Sequence, residues 1–209
     1  MTVIDDYKLL EKHGFELIPY GLAVGLQDAL KIAKRIGYPI AMKIISPQAT
    51  HKTDVGGVRI GIKNEEMLKL VHREFEEIAK LNKLQVDGIL VQKMARRGIE
   101  LIVGAKRDEQ FGQLIILGLG GIYVEIFRDI SARLCPINEQ DVDEMIEELQ
   151  SHPIITGTRG KKAINIKELK RLMLNVCRFV AKEDITEMDL NPVIFDENGG
   201  DIIDVRFTK

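Results

Sequence analysis

A chain of 209 residues, 45% hydrophobic and 30% charged, can bury a substantial core as one large domain or two small lobes. Its formal net charge of −2 gives no basic footprint for nucleic acid, and no apolar run approaches the ~20 residues of a membrane span. The start lacks the basic and apolar regions of a secretion signal, Cys135 and Cys177 read as isolated thiols, and the four histidines show no zinc-type spacing, so a cytoplasmic protein is expected.

In chain order, Asp5–Lys12 reads as a short helix stopped by Gly14, followed by an extended piece over Phe15–Tyr20. The spacing of Ala29, Ile32, Ala33 and Ile36 predicts a helix over Leu26–Ile36, closed by Gly37 and Pro39. Apolar runs at Ile40–Ile45 and Val58–Ile62 read as strands joined by a polar loop. Asn64 caps a helix reaching about Leu81, with Met67, Leu68, Val71, Phe75 and Ile78 as its inward stripe. Ile89–Met94 is the next strand. This alternation predicts a sheet covered by helices. The polar connector Ala95–Gly98 marks a boundary between lobes 1–94 and 95–209.

Strand-like runs then follow at Glu100–Ala105, Gln113–Leu117 and Val124–Leu134. Helices are predicted over Glu139–Gln150, with Val142, Met145, Ile146 and Leu149 inward, and over Ile166–Ala181, where Asn165 and Glu168 suit a capping box. Ile154–Gly160 between them reads as a loop. A hairpin closes the chain: Asp189–Phe195, a Gly199-Gly200 turn, and Asp201–Phe207.

Two constellations carry chemistry. The loop between the second and third strand-like runs holds His51, Lys52, Asp54, Gly56 and Gly57. A neutral imidazole is an available nucleophile near neutral pH, a neighbouring cation offsets phosphate charge, and paired glycines let backbone N–H groups approach an anion. Taken singly, a loop histidine is more often a solvated residue, and a Gly-Gly pair is more often a turn. Lys43, inside an apolar strand, needs either a structural carboxylate or a phosphate.

The closing hairpin is the second constellation. Asp189 and Asn191 share a strand face, and Asp204 joins them if opposed residues sum to 395 or 397 but not 396. Two carboxylates and an amide oxygen are a hard-oxygen set, suited to Mg²⁺ rather than zinc. The Gly118-Leu-Gly-Gly121 segment lacks the spacing of a P-loop, and Glu125, Arg128 and Asp129 interrupt the apolar run after it. Gly157-Thr-Arg-Gly160 and Arg59 fit an anion site or ordinary loop and surface positions equally well.

Lys43-Ile-Ile-Ser-Pro47 with His51-Lys-Thr-Asp-Val-Gly-Gly57 resembles the lysine strand and histidine loop of the ADP-forming acetyl-CoA synthetases, in the β subunit that forms their ATP-grasp module. Glu100–Asp108, Gly118–Asp129, Gly157–Gly160, Asp189–Val193 and Ile203–Arg206 match in the same order, so the resemblance spans about Tyr7 to Phe207. It implies an α/β (α+β) ATP-grasp fold of two lobes, with ATP or ADP held between two sheets. Lys43 would contact phosphates, assisted by Gly56, Gly57 and Arg128. Val91-Gln92-Lys93-Met94 would be the adenine hinge, with Glu100 near the nucleotide. Asn191 and Asp204 would bind Mg²⁺ with Asp189 beside them. His51, flanked by Lys52 and Asp54, would be a second phosphohistidine in a relay converting acyl-CoA, ADP and phosphate to acid, ATP and CoA. A separate α subunit, carrying the CoA-binding domain and the first histidine, is the expected partner in a hetero-oligomer of α2β2 type. Two other readings stay open: another ATP-grasp carboxylate ligase, or a non-catalytic nucleotide-sensing subunit.

Overall fold

The computed structural model describes residues 3–48, 56–121, 129–158, 160 and 162–209. His51, Lys52, Asp54 and Arg128 lie outside the described residues. The chain forms two compact units, Ile18–Met94 and Met1–Leu17 with Ala95–Lys209.

In the unit Ile18–Met94, strands β1 (Tyr20–Ala23), β2 (Ile40–Ile45), β3 (Val58–Ile62) and β4 (Gly88–Lys93) form an antiparallel sheet in the order β1-β4-β2-β3. Helices α2 (Leu26–Ile36) and α3 (Glu65–Leu81) bury Ala29, Ala33, Leu68, Val71 and Phe75 with Ile40, Met42, Ile44, Ile89 and Val91 of the sheet. Strand side chains alternate, so Ala41, Lys43 and Ile45 lie on the face away from the helices. The Asn64 side chain caps α3, accepting from the Met67 N–H at 2.9 Å. Met67 itself, expected inward, is 37% exposed. It lies ~100° around the helix from Leu68, off the stripe that Leu68, Val71 and Phe75 define. The strand after Phe15 starts later than expected, at Tyr20, and its four residues include Gly21 and little apolar period.

The other unit holds β5 (Ile99–Asp108), β6 (Gly112–Leu119), β7 (Ile130–Leu134), β8 (Glu187–Asp196), β9 (Gly199–Ile202) and β10 (Val205–Thr208). Their order is β10-β8-β5-β6-β7, with β9 also on β8, and every pair is antiparallel. Helix α6 (Ile166–Lys182) packs on β5 and β6, and α4 (Glu139–Glu148) on β7. Leu101, Val103, Ala105, Ile115, Leu117, Met188 and Leu190 are buried in the sheet, and Leu169, Met173, Val176 and Val180 on α6. Asn165 accepts from the Glu168 N–H at 3.1 Å to start α6.

Four sequence expectations are corrected here. Helix α1 (Val3–Lys12), expected within 1–94, belongs to the unit of the larger sheet. Its Tyr7 and Leu10 are buried, it packs on β10, and the Tyr7 hydroxyl donates to the Ile203 carbonyl at 3.4 Å. The hairpin turn is Glu197-Asn198 rather than Gly199-Gly200. The Asp196 carboxylate accepts from the Asn198 and Gly199 N–H groups at 2.8 and 3.1 Å, and this side-chain turn displaces the glycines into β9. A Cβ on Gly200 would lie 2.5 Å from the Phe195 ring, so this glycine serves close packing. The expected loop after α4 contains a one-turn helix, α5 (His152–Ile155). Last, Cys135 and Cys177 form a disulfide, their Cα atoms 6.1 Å apart, tying the end of β7 to α6. Among the described residues no helix is long and apolar enough to cross a membrane.

Candidate nucleotide and metal site

Lys43 occupies the middle of β2, opposite Leu90 of β4 and Val58 of β3, and is only 6% exposed. Its sheet face is the one without helices. Gln92, opposite Ala41 on β4, lies on the same face, also buried. The alternation that puts Gln92 there turns Lys93 the other way. The Lys93 ammonium donates to the Gly37 and Tyr38 carbonyls at 2.8 and 3.2 Å, holding the segment that follows α2. The N–H groups of Lys93 and Met94 donate to the Pro19 and Pro39 carbonyls at 2.8 and 3.2 Å. The Met94 thioether accepts from the Gly61 N–H at 3.2 Å. Within the hinge, Gln92 lies in β4 on the Lys43 face, while the side chains of Lys93 and Met94 bond to the backbone of their own unit.

That assignment predicts the behaviour of Lys93→Met. Losing a charged donor to two carbonyls should cost about 1–2 kcal/mol in urea unfolding. ADP affinity measured by calorimetry should change by no more than about two-fold. A large loss of affinity with unchanged stability would return the Lys93 side chain to the nucleotide.

Where the chain re-enters β3, the Gly57 carbonyl accepts from the Ile44 N–H at 2.8 Å. Arg59 Nη1 donates to the Gly56 and Val58 carbonyls at 2.9 and 3.1 Å, and its Nε to Glu74 on α3 at 3.2 Å. Arg59, undecided from sequence, therefore braces the exit of the histidine loop.

The second group of candidates is built on β8 and its two partners. Arg206 faces Asp189, Val205 faces Leu190, and Val193 faces Ile202, so opposed residues sum to 395 on both sides of the hairpin. This is one of the two registers that put Asp204 on the face of Asp189 and Asn191. Extended between its two ends, it sets Asp204 across from Asn191. Against β5, the run from Leu190 to Val193 takes three steps where β5 takes two from Val103 to Leu101. This bulge falls at Asn191-Pro192 and re-aims the strand where the candidate ligands sit.

The electrostatics fit a cation site. Burial pushes the Asp189 carboxyl above its ordinary value; the Arg206 guanidinium pulls it down, the Asp204 carboxylate pushes it up, and the Asn191 side chain hydrogen-bonds to it. Asp204 is 18% exposed at its side chain and lies 3.7 Å from Arg206 Nη2. Two partly buried carboxylates with an amide beside them are oxygen donors of the kind Mg²⁺ prefers. Among the described residues no three His, Cys, Asp or Glu side chains cluster as a metal site.

Glu100 on β5 faces Ile194 of β8, and its carbonyl accepts from the Gly120 N–H at 2.6 Å. A Cβ on Gly120 would come within 3.0 Å of the Glu100 backbone, so this position needs glycine because it lies flat on β5, and a Cβ on Gly118 would come within 2.8 Å of Ile130. The Asp129 carboxylate accepts from the Gln150 and Ser151 N–H groups at 2.7 and 2.8 Å and so secures the end of α4. Sequence reasoning gave no role to Arg96, which pairs with Asp196 at 2.8 Å and Asp201 at 2.9 Å. Burial would raise the Asp196 carboxyl, but Arg96 and Asn198 hold it at about 2. Nor did it give one to Arg206, although Arg206 stands two residues from Asp204, a spacing that shares a strand face.

Two antiparallel sheets, a buried lysine on the helix-free face of one and a carboxylate–amide hairpin in the other, define an ATP-grasp fold. A family model described as an ATP-grasp domain matches residues 1–208, and the chain belongs to that family. It is 39% identical over 202 residues to acetate–CoA ligase (ADP-forming) I subunit beta of Pyrococcus furiosus, covering 95% of this chain and 87% of that one. It is 40% identical over 200 residues to acetate–CoA ligase (ADP-forming) I of Archaeoglobus fulgidus, where 95% of this chain spans 29% of the longer relative. Among solved structures it resembles the dinucleotide forming acetyl-coenzyme A synthetase 1 of Ca. Korarchaeum cryptofilum. In the complex with coenzyme A, Ca-AMPCP and HgCl+ the TM-score is 0.91 at 40% identity, over 97% of this chain and 89% of that one. A second complex, with coenzyme A and Mg-AMPPCP and a phosphohistidine segment pointing towards the nucleotide binding site, gives 0.85 at 37% identity, over 99% and 91%.

Proposed function

We propose that this chain is the nucleotide-binding β subunit of an ADP-forming acyl-CoA synthetase, acting with a separate α subunit. The observation that supports this reading is a match covering 87% of a relative named as a beta subunit, in a chain that carries Lys43, Asp189, Asn191 and Asp204. Lys43 would neutralise nucleotide phosphates. Asp189, Asn191 and Asp204 would hold Mg²⁺, which when bound offsets phosphate charge. Gln92, on the Lys43 face, would meet the base side of the nucleotide, and Glu100 would order the glycine segment beside it. His51 would accept a phosphoryl group from a histidine of the α subunit. The ADP β-phosphate oxygen would then attack that phosphorus, and the P–N bond would break to return a neutral imidazole. Phosphoryl transfer needs positioning and charge neutralisation above all, and a histidine way-station divides one long transfer into two short ones.

We infer a cytoplasmic enzyme of α2β2 type, in keeping with acyl-CoA, ADP and phosphate as its substrates. The test is to purify the tagged chain from its native host, identify the co-purifying subunit, and determine the mass of the complex by light scattering. The reconstituted pair should form ATP from an acyl-CoA, ADP and phosphate, with neither subunit sufficient. A chain that makes an acyl phosphate from ATP and a carboxylate without the second subunit would instead be another ATP-grasp ligase. One that binds Mg²⁺ and ADP but supports no turnover with its partner would be a sensor.

A further inference from the structure

Arg206 is a charged side chain beside the candidate metal set that neither that set nor the phosphate contacts use. The β8–β10 register sets it directly across from Asp189, and its Nη2 is 3.7 Å from Asp204. Residues 204 and 206 alternate onto one strand face, so the guanidinium lies beside both carboxylates of the candidate metal set. Its backbone is anchored, since the neighbouring Val205 is buried, but its side chain is 46% exposed and can swing without disturbing the core. As a stabilising bridge it is weak: an exposed pair at this separation contributes little. As a counter-charge it matters more, because the register sets it directly across from Asp189 while its Nη2 is 3.7 Å from Asp204, so one guanidinium stands between two carboxylates. An arginine suits this position better than a lysine. Its planar fork can serve two carboxylates at once and binds phosphate oxygens in the same geometry.

We propose that Arg206 is an exchangeable counter-ion: its guanidinium balances Asp189 and Asp204 in the metal-free protein, and moves to the nucleotide's phosphate oxygens when a divalent cation takes the carboxylates. This rests on the assignment of Mg²⁺ to Asp189, Asn191 and Asp204. It makes Arg206 a positioning residue with two opposed effects. It competes with the cation when nucleotide is absent, and it favours the metal–nucleotide complex when both are present. A bridge that merely stiffens the hairpin has neither effect.

The experiment uses the full chain, stripped with a chelator, and Mn²⁺ as the probe, its unbound fraction read by electron paramagnetic resonance. Arg206→Met should bind Mn²⁺ about ten-fold more tightly than wild type without nucleotide, the scale expected for removing a largely water-screened cation some 4 Å from the ligands. By calorimetry, the same variant should bind ADP with Mg²⁺ about ten-fold more weakly. Arg206→Lys should fall between wild type and Arg206→Met in both measurements, and circular dichroism should show all three chains folded. Equal Mn²⁺ affinity in Arg206→Met and wild type overturns the counter-ion role and leaves the metal assignment standing. So does a variant whose Mn²⁺ and ADP affinities fall together. No Mn²⁺ binding by the wild type overturns the metal assignment and, with it, this role.

Discussion

His51→Ala is expected to abolish ATP formation from acyl-CoA, ADP and phosphate by the reconstituted enzyme, by about a thousand-fold or more, equivalent to ~4 kcal/mol of lost barrier reduction. Lys52 adjoins the imidazole, Asp54 can orient the ring or stabilise its cationic form, and Gly56-Gly57 can present N–H groups to a phosphoryl oxygen. The exit of the loop is braced by Arg59 on the Gly56 carbonyl and on Glu74, so removing the imidazole should leave the frame intact. The variant should fold, bind ADP with Mg²⁺, and support formation of acyl phosphate on the α side, because that step precedes the relay. Wild type should carry an acid-labile phosphate that the variant lacks. A solvated loop histidine predicts something quite different: a change of ~0.5 kcal/mol or less in stability and no loss of turnover. ATP synthesis within a few-fold of wild type would dismiss the relay.

How much of this was legible in the sequence differs residue by residue, and the reasons are physical. Lys43 was visible because an ammonium inside an apolar strand is costly without a partner. Its face was not visible, because all six residues of β2 are buried and a continuous apolar run has no period to read. Register against β4 decides it. The hairpin offered three registers, two of them compatible with the metal set, and Asp196 selected among them by making a side-chain turn that the neighbouring Gly-Gly pair obscured. Lys93 looked like its hinge neighbours because the carbonyls that take its ammonium lie at Gly37 and Tyr38, across the unit. The placement of α1 and the pairing of Cys135 with Cys177 are long-range outcomes of the same kind: an amphipathic stripe says that a helix is covered, not by what. Helix caps are local, and at Asn64 and Asn165 the expected side-chain acceptors are the observed ones.

Asp204→Ala should remove most of the Mg²⁺-dependent part of nucleotide binding. In the wild type, ADP at ~100 times its dissociation constant should stabilise the native state by ~2.7 kcal/mol, read as a rise in melting temperature. That gain has two sources that magnesium titration separates. Under the proposed assignment Lys43 would contribute without the metal, its charge meeting phosphate directly, and Asp189, Asn191 and Asp204 would contribute only through the ion. Asp204 is the member of this set whose surroundings argue most plainly for a cation: its side chain is mostly covered, the hairpin register sets it across from Asn191, and its charge already bears on Asp189. Replacing it with alanine leaves one carboxylate and one amide, which hold Mg²⁺ poorly without further oxygen ligands. It also relieves the like-charge pressure on Asp189, so the metal-free variant should be no less stable than wild type in urea. The expected record is therefore a melting shift with ADP that no longer grows when Mg²⁺ is added, in a protein of unchanged intrinsic stability. Lys43→Met should give the complementary record, losing the metal-independent part first. An Asp204→Ala chain whose shift with Mg²⁺ and ADP equals that of wild type would show that the ion is held elsewhere.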